Sequence, residues 1–190
     1  GDWSDDQGHG THVAGSAVGS GVLSGANPQE HRYEGSFAGV APEAGLVFQS
    51  VLDRNGGIAG IPADLALLFG PAYENGARVH NNSWGAPAPA GYVYDLMARQ
   101  VDAFVWTHPD LLVVVSAGND GADADFNGVV DRANLNTPAT AKNALTVGAS
   151  ESYRVDVNEF KWFSRTYGQA WPGDFSMPPI RDDRMADHIE

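Results

Sequence analysis

The chain's patterning predicts an α/β fold in three layers, with a mostly parallel β-sheet flanked by helices. Three observations lead there. Short apolar, β-rich runs alternate with segments of helical period. One run, Leu111-Leu112-Val113-Val114-Val115, is apolar without interruption, as expected of a strand covered on both faces. Polar, glycine-bearing turns follow two of the runs directly, where parallel sheets gather their active sites.

The elements follow in order. Gly8-His9-Gly10-Thr11-His12-Val13-Ala14-Gly15 reads as a loop running into a helix. Leu46 to Leu52 reads as a strand. Pro62 then sits just inside a helix whose Leu65, Leu68, Phe69, Ala72 and Tyr73 fall on one face, closed by Asn75-Gly76. Arg78 to Asn82 is a short strand. Met97, Val101, Phe104 and Val105 form the apolar stripe of a second helix that stops near Pro109. Leu111 to Val115 and Ala144 to Gly148 complete the alternation, which is that of βαβ units on a parallel sheet. Beyond about Ser150 the periodicity decays into a segment rich in Trp and Pro.

Composition narrows the function classes. The 190 residues are enough for one domain with a proper core, and 43% hydrophobic against 18% charged content excludes a disordered chain. No apolar run is long enough to span a membrane, and the absence of cysteine excludes disulfides and thiolate metal sites. The formal charge is −13 and lysine occurs only at 142 and 161, so no basic stripe exists to replace phosphate counterions on a nucleic acid. Such acidity suits a soluble secreted protein, a salt-adapted one or a cation binder.

Chemistry concentrates in a few places. His9 projects from small neighbours, the setting a general base needs to approach a peptide backbone. As a lone histidine it could equally be a satisfied structural group, and with His12 it has the spacing of a zinc pair. However, neither HExxH nor a clear third ligand is present. Gly118-Asn119-Asp120-Gly121 after a buried strand would serve simply as a turn. Asp123-Ala124-Asp125-Phe126-Asn127-Gly128-Val129-Val130-Asp131 has calcium-loop spacing. Asp123, Asp125 and Asn127 offer side-chain oxygens, Val129 its carbonyl and Asp131 a ninth-position ligand, with Gly128 permitting the turn. Position 12 is Asn134 rather than Glu, so the loop is not a full EF-hand, and an acidic solvent loop is the plain alternative.

Four ordered blocks resemble the subtilisin-like serine proteases, or subtilases. They are His9-Gly10-Thr11-His12-Val13-Ala14-Gly15, Asn82-Ser83-Trp84-Gly85, Ser116-Ala117-Gly118-Asn119, and Thr137-Pro138-Ala139-Thr140-Ala141-Lys142-Asn143 leading to Thr146-Val147-Gly148-Ala149. The resemblance implies an incomplete subtilisin-like fold and peptide-bond hydrolysis through an acyl-enzyme. It makes His9 the general base, His12 a structural histidine and Asn119 the oxyanion donor. Such donors are worth about 3 kcal/mol, subtilisin's own asparagine being the measured case. It also implies that Ser83, Trp84 and Gly85 line one wall of the primary specificity pocket, with Ala117 and Gly118 opposite, pairing with substrate as an added strand. Gly56-Gly57-Ile58-Ala59-Gly60 falls where subtilases carry a second substrate-flanking segment, though a flexible glycine loop reads the same way. A protein or peptide substrate, structural calcium, no organic cofactor and secretion complete the implication.

Two family blocks are missing from these residues. No Gly-Thr-Ser-Met-Ala segment occurs, and only eight residues precede His9, among which Asp2, Asp5 and Asp6 lie too close to the motif to orient the imidazole. The final stretch, 151–190, resembles an insertion found before the serine segment of larger secreted subtilases. The opening Gly1-Asp2-Trp3 suggests a fragment or processed product. The expectation is therefore a partial catalytic domain over 1–190, inactive alone and poorly stable, with apolar surface exposed. A non-enzymatic, subtilase-like scaffold binding calcium or a partner is the alternative.

Overall fold

The computed structural model describes residue 5 and residues 8–22, 38–53, 57–86, 93–119 and 135–148. The chain divides into two compact units, residues 1–77 and 78–190.

In the first unit, helix α1 spans His9–Val18 and α2 spans Ala66–Glu74. The head of α1 is Gly8, in the left-handed region at φ 75°. Its last carbonyls are met by a crossing segment: the Val40 amide donates to Ser16 O at 3.0 Å and the Ala41 amide to Ala17 O at 2.8 Å. The core of this unit is Leu65, Leu68, Phe69 and Ala72, all buried, and the Gln49 side chain donates to Leu68 O at 2.9 Å.

Two elements differ from what the sequence pattern predicts. The helix starts at Ala66 rather than beside Pro62, because the Asp64 carboxylate accepts the Ala66 amide at 3.0 Å and sets the first turn there. Pro71 lies inside the helix, where its ring withholds one backbone donor. Leu46 to Leu52 forms no strand among the described residues. A strand needs a neighbour to take its backbone groups, and this stretch bonds instead to a local loop, with the Gly60 amide donating to Val51 O at 3.0 Å.

The second unit holds β1 (Val79–Asn82), α3 (Leu96–Thr107), β2 (Leu112–Ser116) and β3 (Leu145–Val147). The sheet runs β1-β2-β3, all parallel, with Asn82 opposite Val115 and Ser116 opposite Val147. Asp95 caps α3 by accepting the Ala98 amide at 3.0 Å, and the helix gives way at His108, before Pro109. Helix α3 packs on β2, burying Ala98, Val101 and Phe104 on the side of Val113 and Val115.

The uninterrupted apolar run predicts that strand β2 is buried on both faces. It alternates instead: Val113 and Val115 are 0% exposed while Leu112 is 42% exposed. The register sets Val79, Leu145 and Val147 on the same face as Leu112, and all three are exposed. Among the described residues nothing covers that face.

The segment ahead of β3 is tied to α3 through Asp102. Its carboxylate accepts the amides of Lys142 and Asn143 at 2.8 and 2.6 Å and the Tyr94 hydroxyl at 2.6 Å. Partial burial works to raise the Asp102 pKa. The Tyr94 hydroxyl and the two amides outweigh it and hold the carboxyl below its ordinary range.

Candidate active site

In the first unit the candidate residue that the sequence predicts is His9. It is the first residue of α1 and is exposed, with exposed His12 one turn on. What fixes this helix end is Asp5, which the sequence leaves without a role. One carboxylate oxygen accepts the Gly8 amide at 2.9 Å, and the other accepts the Thr11 amide and the Thr11 hydroxyl, each at 2.7 Å. A carboxylate there satisfies orphan amides and complements the positive end of the helix dipole. The same contacts leave Asp5 serving the backbone on both sides of His9. Of the glycine segment 56–60, residue 56 lies outside the described residues. Gly57 is held by Asp53, whose carboxylate accepts the Gly57 amide at 2.9 Å.

In the second unit the residues that the sequence predicts for the site follow two adjacent strand ends. Ser83, Trp84 and Gly85 continue from β1 and are half-buried. Ala117, buried, and Gly118 continue from β2, with Asn119 exposed just beyond. Because Asn82 stands opposite Val115, the two continuations leave the sheet side by side at its carboxyl edge.

A third segment, Asn136-Thr137, joins them. The Asn136 amide donates to Ala117 O at 3.1 Å. Thr137 forms an antiparallel bridge with Ala86, at 3.0 and 3.1 Å. The packing is tight: a Cβ at Gly85 would stand 3.0 Å from Thr137 O, and one at Gly118 would stand 2.5 Å from Asn136 Cγ. Gly118 also has φ 108°, so both space and backbone conformation require glycine. On its other side Ala117 donates its amide to Val147 O at 2.8 Å, which anchors this segment to β3.

The sequence points to the segments 83–85 and 117–118 but not to Asn136-Thr137, which the structure sets between them. Thr137 lies in a quoted block without an assigned role, and a lone Asn at 136 gives no signal of its own. The calcium loop, Asp123, Asp125, Asn127, Val129 and Asp131, lies outside the described residues, as do Asp2, Asp6 and the segment 151–190. No described helix is long and apolar enough to cross a membrane.

Comparison with known proteins gives these residues a context. The model of the subtilase family matches residues 2–179. The serine protease/ABC transporter B family protein tagD of Dictyostelium discoideum is 37% identical over 82% of this chain and 8% of its own length. The C5a peptidase of Streptococcus pyogenes is 34% identical over 95% of this chain and 15% of its own. Among solved structures, the prenylagaramide maturation protease PagA is 24% identical, with a TM-score of 0.45, over 77% of this chain and 44% of that one. The chain thus spans less than a tenth of the length of curated relatives such as tagD.

Proposed function

The chain belongs to the subtilase family, and from that premise we propose that it forms the middle of a serine endopeptidase catalytic domain. The observation that supports this most is the junction of Gly85, Ala117, Gly118 and Asn136-Thr137 at the carboxyl edge of the sheet. Its close backbone packing suits a site that pairs with an extended peptide rather than one that grips a side chain by charge.

In this proposal His9 is the general base. Its imidazole takes the proton of the nucleophilic hydroxyl and returns it to the leaving amine. The Asn119 side-chain amide donates to the oxygen that gains negative charge during attack. Ser83, Trp84 and Gly85 with Ala117 and Gly118 hold the substrate. The sequence holds no Gly-Thr-Ser-Met-Ala block, so the nucleophile and its orienting carboxylate come from residues outside these 190. The segment alone therefore forms no acyl-enzyme.

The proposal also includes a calcium ion held by the oxygens of Asp123, Asp125, Asn127, Val129 and Asp131, a hard-donor set suited to that cation. Calcium there would steady the chain just past Asn119, and adding it should raise the melting temperature. Secretion of the protein fits its acidic charge.

The test is fluorophosphonate labelling of the intact protein. The expected result is one labelled serine outside residues 1–190, with labelling lost in His9→Ala. An intact, folded protein that takes no label and cleaves no peptide is instead a scaffold.

A further inference from the structure

We propose that Asp95 is a positioning residue for substrate selectivity, acting through Thr137 on the Gly85-Ala86 wall. This rests on the reading of residues 83–85 and 117–118 as the substrate subsite.

Asp95 has two partners on one oxygen. Its Oδ1 accepts the Ala98 amide at 3.0 Å, which caps α3, and the Thr137 hydroxyl at 2.6 Å. Thr137 is buried, so its hydroxyl needs an acceptor inside the protein, and Asp95 supplies it. The backbone of that same residue forms the bridge to Ala86, and its carbonyl lies against Gly85. A second tie runs alongside: the Thr140 hydroxyl donates to Val93 O at 2.8 Å. The head of a well-packed helix is thereby coupled to a segment that touches both walls. Asn136 continues the coupling, since its amide bonds Ala117 and its side chain fills the space beside Gly118. Loss of the Asp95 to Thr137 bond frees Thr137 to shift and changes the spacing of the walls. Asp95 itself need not touch the substrate.

The two duties of Asp95 are separable by substitution. Serine at 95 still caps a helix but is one bond shorter, so it keeps the Ala98 contact and loses Thr137. Asparagine keeps an acceptor oxygen for both. The experiment measures kcat and KM of the intact protease on short peptide substrates that differ in the residue before the scissile bond. Asp95→Ser should raise KM about fivefold and shift the preference among substrates by a similar factor, with kcat within about twofold, the scale of one hydrogen bond. Thr137→Val should do the same, while Asp95→Asn and Thr137→Ser should stay near wild type. Melting temperature should fall by only a few degrees in Asp95→Ser, the scale of one buried hydroxyl left without its acceptor.

Parallel losses of melting temperature and kcat, with preference unchanged, would mark Asp95 as merely structural and overturn the inference. Gly85→Val separates the two levels. If it alters preference while Asp95→Ser does not, the subsite stands and the inference fails. If neither alters preference, the subsite reading fails with it.

Discussion

Asp5 and Thr11 are joined twice: one carboxylate oxygen receives both the amide and the hydroxyl of Thr11, each at 2.7 Å. With the Gly8 amide on the other oxygen, the first turn of α1 is held on either side of His9. Removing the carboxylate in Asp5→Ala should cost about 1 kcal/mol of stability, the usual size for a lost cap. Thr11→Val removes one contact of the three and should cost less. Denaturant unfolding of both variants checks the order, and equal costs would count against the clamp.

Gly118 faces a double constraint, its φ of 108° and the Asn136 side chain 2.5 Å from where a Cβ would stand. Gly118→Ala should therefore destabilise by about 2–4 kcal/mol, combining backbone strain with overpacking. Truncation in Asn136→Ala removes the nearest contacting atoms, leaves its Cβ 3.0 Å away, and does nothing for the backbone strain. The double variant should recover some of the loss but not all, and a double-mutant cycle with no coupling would contradict the contact.

His80 sets a pH dependence. Burial, only partly offset by a hydrogen bond with Asn82, lowers its pKa below the ordinary value of about 6.5. The unfolded chain takes up a proton there as pH falls through about 6.5, while the folded chain resists until its own lower value. Stability should therefore fall as pH drops from about 7.5 to 5.5. Melting curves of His80→Gln should show a shallower dependence, and an unchanged slope would assign it to other groups.

Asn119 tests the oxyanion assignment. In the intact protease Asn119→Ala should lower kcat by about 10²–10³ with KM little changed, subtilisin itself being the measured case for that magnitude. A loss confined to KM would make Asn119 a substrate contact rather than a donor to the transition state.

How much was legible depended on the kind of signal. The stripe of Val101 and Phe104, closed by Pro109, located α3 closely, since helical period and a proline stop are local properties. The run Leu111 to Val115 located β2, but its burial did not follow: covering a face depends on elements elsewhere, and here Leu112 is exposed. Leu46 to Leu52 misled for a related reason, because apolar β-branched content does not supply a pairing partner. At the candidate site, glycine and small residues marked the segments 83–85 and 117–118, which the structure sets side by side. The links among them, Asp95 to Thr137 and Asn136 to Gly118, join residues 42 and 18 positions apart and leave no local pattern. Only Asp95, standing directly before an apolar helical stripe, had a readable role as a cap.

Whether His9 acts as the base of a serine protease is tested most directly by the kcat of His9→Ala in the intact, folded protein. His9→Ala should lower kcat by a factor on the order of 10⁶ with the melting temperature retained, a size measured on subtilisin itself. A variant that keeps kcat within about tenfold of wild type would contradict that role.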